Sequence, residues 1–104
     1  MPGPGGEAYA NYAQAVKSVY EREWRPPDDA ADENATTKVT VTIARDGTVI
    51  SARIIRDSGN GSVDKSVQET LQRVKFIAPF PEGAKEQQRT FTINFNLKAK
   101  RLLG

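Results

Sequence analysis

The chain has 104 residues, 38% of them hydrophobic and 27% charged, with 15 Lys and Arg set against 13 Asp and Glu. That length and balance suit one globular domain and argue against wholesale disorder. The formal net charge of +2 is thin ground for nucleic-acid binding, and the absence of both Cys and His excludes thiol nucleophiles, His-based triads, His-ligated haem, disulfides and the usual zinc sites.

No apolar run approaches the roughly 20 residues that a membrane span needs, and no basic-apolar-small signal peptide is visible. Residues 1–6 read Met-Pro-Gly-Pro-Gly-Gly, expected as a flexible leader or linker remnant without fixed structure. From residue 7 to 24 the pattern turns helical: Tyr9, Tyr12, Ala13, Val16, Val19, Tyr20 and Trp24 recur at spacings of three and four. That stripe predicts core contact with a sheet, and Pro26 and Pro27 stop the helix because neither has an amide hydrogen. Residues 28–35 are acidic, with Asp28, Asp29, Asp32 and Glu33. They lack the glycine turn and closing Glu of a calcium loop, so a solvated loop is expected.

Residues 38–44 alternate strictly and are rich in β-branched side chains, which predicts a strand. Asp46-Gly47 favours a two-residue type I′ hairpin turn, and residues 48–56 continue as a second strand. That turn pairs Arg45 with Thr48, Ile43 with Ile50, Val41 with Ala52 and Val39 with Ile54. The three apolar pairs then share one face, and Thr40, Thr42, Ser51 and Arg53 lie on the other, as in a sheet covered on one side.

Residues 57–62 form a turn-rich loop that matches neither a phosphate-binding glycine loop nor a nucleophile elbow. Ser62 is the expected cap of a second helix over 63–75, whose buried stripe is Val63, Val67, Thr70, Leu71 and Val74. In 76–81 two prolines rigidify an extended link whose aromatics, Phe76 and Phe80, close the core; a partner groove at Phe80 is the sharper reading. Residues 87–97 make a third strand, with Phe91, Ile93, Phe95 and Leu97 alternating with polar residues. Residues 99–104 are a short basic tail, expected to be mobile.

The element order helix-strand-strand-helix-strand predicts an α+β domain: a three-stranded antiparallel sheet, order 2-1-3, with two helices packed on one face. The third strand then lies at an edge. It holds no proline, and between Arg89 and Lys98 its polar residues are uncharged Thr and Asn, where edges usually carry charge or a bulge. Such an edge is a template for an incoming peptide strand, each ladder bond worth about 1 kcal/mol net. Self-pairing into a homodimer is the rival outcome.

At this point the residues resemble a known family. Tyr9-x-x-Tyr12-Ala13-x-x-Val16-Lys17-x-x-Tyr20-x-x-x-Trp24-x-Pro26-Pro27 resembles the opening helix of TonB/TolA C-terminal domains. Val39-x-Val41-x-Ile43 with Asp46-Gly47-x-Val49, Ala52-Arg53-Ile54-Ile55-x-x-Ser58-Gly59, Val63-Asp64, Ala78-Pro79-Phe80-Pro81 and Phe91-x-Ile93-x-Phe95-x-Leu97 are similar to the later segments of those domains. The resemblance covers residues 9–98, within a domain taken as 7–98. It implies the periplasmic C-terminal domain of an inner-membrane energy transducer, whose membrane anchor, absent from this sequence, contacts a proton-driven motor complex. The domain meets a segment of an outer-membrane receptor or periplasmic envelope protein by strand addition. Carried over, the partner-binding residues are Arg89, Thr90, Phe91, Thr92, Ile93, Asn94, Phe95, Asn96 and Leu97. The Tyr-Pro pair that often opens TonB domains and the cysteine pair of some TolA domains are missing, so the subfamily stays open.

Two other classes compete. An enzyme would have to draw on Asp46, Asp57, Asp64 and Lys65, of which Asp46 is explained by its turn and Asp64 by a helix N-terminus; no catalytic site, metal or cofactor is expected. A nucleic-acid binder would need a broader basic stripe with stacking aromatics, so no nucleic acid is expected as a partner. A generic interaction or self-dimerising module without a transducer role is the remaining alternative.

Overall fold

The structure, a computed structural model, describes residues 4–28 and 34–103. Helix α1 (Pro4–Glu23) is followed by strands β1 (Thr36–Ala44) and β2 (Val49–Arg56), helix α2 (Gly61–Arg73), strand β3 (Gln88–Asn96) and a short helix α3 (Leu97–Leu103). The sheet has the predicted order, β2-β1-β3, and both pairings are antiparallel.

Burial follows the sequence periodicities. β1 alternates residue by residue, with Thr37, Val39, Val41 and Ile43 buried, and β3 buries Phe91, Ile93 and Phe95 on the same side. Helix α1 lies over β3, and α2 over β1 and β2. Tyr9, Tyr12, Val16, Tyr20 and Trp24 of the predicted stripe are all buried. Tyr20 and Trp24 meet the Phe95 ring edge-on, and Trp24 also donates its indole N–H to Ser66 Oγ at 2.9 Å, tying α1 to α2. Each large apolar side chain removed from water in this layer contributes about 1.5–3 kcal/mol.

Several boundaries depart from the sequence expectations. Of the expected leader, residues 1–3 lie outside the described residues and 4–6 belong to α1. Pro4 stands at the first helical position, where a missing amide hydrogen costs nothing. The basic tail is helical too: Asn96 Oδ1 accepts from Ala99 N at 2.8 Å, capping α3, and Lys100 Nζ donates to the Glu21 carbonyl at the end of α1. Leu97 therefore opens a helix instead of ending β3. For α2 the cap is Asn60, not Ser62; its Oδ1 accepts from Ser62 N (3.0 Å) and Val63 N (3.2 Å). In the acidic loop, the expectation for Asp29, Asp32 and Glu33 falls outside the described residues.

The hairpin differs in an instructive way. Only Gly47 has positive φ (97°), so the turn is not type I′. Gly47 N donates to Ala44 O and Ala44 N to Thr48 O, which makes a three-residue loop of Arg45, Asp46 and Gly47. That loop shifts the register, so Ile43 faces Val49, not Ile50. A bulge at Ile50 then restores the predicted pairs Val41 with Ala52 and Val39 with Ile54. A second irregularity falls between Ile54 and Arg56, and Ile50 and Ile55 are half-exposed.

Residues 75–80 wrap the hairpin tip. Val49 N donates to Lys75 O, Ile77 N to Gly47 O and Phe80 N to Arg45 O. Phe80 is buried, packed edge-on against Tyr9 and Tyr12, so its ring belongs to the core, and it also lines an open hollow with Ala44, Arg45, Asp46, Pro79 and Gln87. Phe76 does not close the core; it remains exposed over the turn.

Candidate functional site

The two sheet edges are built differently. β2 is broken by its two irregularities and partly covered at Val49 by the Lys75 carbonyl. β3 pairs with β1 over nine consecutive residues, from Thr36 with Asn96 to Ala44 with Gln88, without a register shift. One edge is thus blunted in the way soluble sheets commonly are, and the other is straight.

The antiparallel ladder fixes which groups of β3 face outward. At its two ends Arg45 N donates to Gln87 O and Leu97 N to Ala35 O. Hydrogen-bonded pairs alternate along such a ladder, so the odd-numbered residues of β3 turn their N–H and C=O toward β1. The backbone groups of Gln88, Thr90, Thr92 and Asn94 point the other way, and no backbone hydrogen bond beyond the sheet ladder reaches them among the described residues. The predicted binding residues therefore divide. Arg89, Phe91, Ile93 and Phe95 are committed to β1 through their backbone, and the last three are buried. Thr90, Thr92 and Asn94 carry the free edge. Asn96 is drawn into the α3 cap, with its Nδ2 on Thr36 Oγ1 (2.7 Å), and Leu97 has left the strand.

Helix α1 forms a wall beside this edge. A cleft of about 380 Å³ is lined by Tyr9, Ala10 and Ala13 of α1 and by Arg89, Thr90, Phe91, Thr92 and Ile93. A second hollow of about 160 Å³ lies between Lys17, Glu21 and Trp24 on one side and Asn94, Phe95, Asn96, Ala99 and Lys100 on the other. At one end the Arg89 guanidinium lies 4.1 Å from the Tyr9 ring centroid and pairs with Glu86 at 2.6 Å. At the other, α3 crosses to the end of α1 through Lys100. Sequence reading missed the helix wall, because Tyr9 counts equally well as core; the small residues Ala10 and Ala13, three apart, were the available signal.

The acidic residues weighed for catalysis serve the backbone instead. Asp46 Oδ1 accepts from Thr48 N in the hairpin loop, and that hydrogen bond holds its carboxyl below the usual carboxylate range. Asp57 accepts from Gly59 N. Asp64, in the first turn of α2, accepts from Thr37 Oγ1 at 2.7 Å and from Ser58 N at 2.9 Å, binding β1, the loop and α2 together. No helix of the described residues is long and apolar enough to cross a membrane.

The family model described as TonB C terminal matches residues 9–95. Among solved structures, the chain is similar to TolAIII bound to a peptide derived from the N-terminus of TolB. The TM-score is 0.62 at 20% identity, over 81% of this chain and 72% of that one. It is also similar to the HasB C-terminal domain, with a TM-score of 0.58 at 21% identity over 91% of this chain and 77% of that one. At those identities the likeness is one of fold. No curated protein matches the chain.

Proposed function

The chain belongs to the TonB C-terminal family, whose members are protein-interaction domains and not enzymes, and from that premise we propose that it captures a partner segment by strand addition along the outer edge of β3. In this reading it is the periplasmic end of an inner-membrane energy transducer. The transducer's anchor contacts a proton-driven motor, and the domain delivers that energy to an outer-membrane receptor or an envelope protein. The observation that carries the proposal is the contrast between edges. β3 keeps an unbroken register and an unpaired row of backbone groups at residues 88–94, while β2 is bulged. A guest strand there would meet main-chain donors and acceptors from β3 and a helix wall from α1, which is the geometry of β-augmentation. The TolAIII structure, with its TolB-derived peptide, shows that a domain of this fold takes a peptide partner.

The test is an amide-shift titration with short extended peptides, the TolB-derived N-terminal segment among them. Shifts should concentrate at residues 90–94 and at Ala10 and Ala13. Thr92→Pro removes an outward donor at an edge position where proline is tolerated, and should abolish binding without unfolding the domain. Shifts confined to α2, or binding untouched by Thr92→Pro, would sink the reading.

A further inference from the structure

The uncovered face of the sheet is separate from the β3 edge and has its own electrostatic character. Alternation along β1 turns Lys38, Thr40 and Thr42 away from the core. The register sets Arg56 beside Lys38 and Arg53 beside Thr40. Cross-strand neighbours stand about 5 Å apart and diagonal ones about 7–8 Å, so three cations share one corner of the face. The ion pairs among the described residues are Lys17 with Glu21 and Glu86 with Arg89, and neither involves this corner. Three unpaired positive charges here exceed the net +2 of the whole chain. Like charges set opposite each other weaken a sheet, and no ion pair among the described residues relieves them.

We propose that this face is a second docking surface, for an acidic polypeptide segment of a partner. The chemistry around the cations selects that occupant. A membrane surface would call for a continuous apolar stripe beside the charges; here the cross-strand neighbours on the face are Thr40, Ser51, Thr92 and Asn94, the exposed Ile50 and Ile55 stand singly at the two irregularities of β2, and the exposed Phe76 and Leu102 sit at the hairpin tip and on α3. A single-stranded nucleic acid would call for aromatic platforms, and the face presents none. Carboxylates suit the planar forks of Arg53 and Arg56, which can donate to them in bidentate fashion. The hydroxyl rows beyond, such as the Thr42–Thr90 pair at 2.9 Å, supply hydrogen bonds to the rest of a segment lying across the strands.

The experiment is an amide-shift and affinity titration of the intact domain with an end-capped octapeptide of alternating Asp and Gly. The same peptide with Lys for Asp, anionic phospholipid vesicles and a single-stranded oligonucleotide run in parallel. Shifts should centre on residues 38, 40, 53 and 56 and weaken with added salt. The double variant Arg53→Gln/Arg56→Gln should lose about tenfold in affinity. Lys65→Gln on α2 should lose nothing. An equal loss with Lys65→Gln, shifts scattered over all basic residues, binding of the Lys peptide, or tighter binding to vesicles or oligonucleotide than to the Asp peptide would each overturn the proposal.

Discussion

Tyr20 is fully buried against Phe95, yet its hydroxyl has no hydrogen-bond partner among the described residues. Burial without a partner disfavours the phenolate, and the pKa is pushed from 10.0 up to about 12. The folded state then holds its proton where the unfolded chain has lost it. Stability from this group is intact below pH 10 and drains away as pH rises toward about 12. Tyr12 leans the same way, through burial opposed by its 2.6 Å bond to Ala78 O. Tyr20→Phe removes the orphan hydroxyl at no cost in ring packing. It should leave stability at neutral pH unchanged or raise it by up to about 1 kcal/mol, and flatten the alkaline decline; urea melts of both proteins across the alkaline range check this. Gly47 supplies the second residue-scale test. Its φ of 97° is joined by crowding, since a Cβ there would stand 2.5 Å from the Ala78 carbonyl. Gly59 has a similar φ (83°) but open space around it. Gly59→Ala should cost about 1 kcal/mol for the backbone conformation alone. Gly47→Ala should cost about 2–4 kcal/mol, because the chain wrapping the hairpin must also move. Equal losses in the two denaturation curves would refute the clash.

Among the elements, β1 and β3 were legible because strict alternation against one covered face leaves a single register that buries every apolar residue. β2 was legible only at its far pairs. Its side-chain pattern does not say that the loop takes three residues and that Ile50 absorbs the difference, because a bulge residue is an ordinary isoleucine in the sequence. The start of α1 was hidden by a Pro-Gly run that reads as a linker. The existence of α3 was hidden because Leu97 satisfies both the strand alternation and the first helical position, and Asn96, its cap, sits inside the strand pattern. Side-chain chemistry in the candidate site was equally ambiguous, since the stripe that makes Tyr9 core also places it on the cleft wall. What the strand pattern did specify, one regular edge, makes an element-scale prediction. The amides of Thr90, Thr92 and Asn94 face outward and should exchange with solvent quickly. Those of Phe91, Ile93 and Phe95 are bonded to β1 and should exchange slowly. Binding of a guest strand should protect the fast set and leave the slow set as it was. Uniform protection along β3 in the free domain would show that its outer groups are already taken.

For the molecule as a whole, an open edge invites a second copy as readily as a peptide, and the surroundings of the edge decide between them. Pairing β3 with β3 of another copy around a two-fold axis would bring two α1 helices to the same flank of the joined sheet. Each α1 already walls its own edge through Tyr9, Ala10 and Ala13. A single extended chain fits between that wall and the strand; a second domain carrying its own wall meets it. The basic corner at Lys38, Arg53 and Arg56 has no ion pair among the described residues, which adds like-charge repulsion to any association that brings these faces together. The domain should therefore sediment as a single species at its monomer mass of 11.4 kDa over a wide concentration range, and the complex with a β3-binding peptide should hold one domain and one peptide. Enlarging the wall tests the same steric argument from the other side. Ala13→Trp fills the cleft from the helix, where Ala13 is only partly buried, and should weaken peptide binding at least about tenfold while the unfolding midpoint stays close to that of the parent. A dimer that forms in the parent and dissociates on adding peptide would instead mean that two walls can pass each other and that the edge is self-complementary.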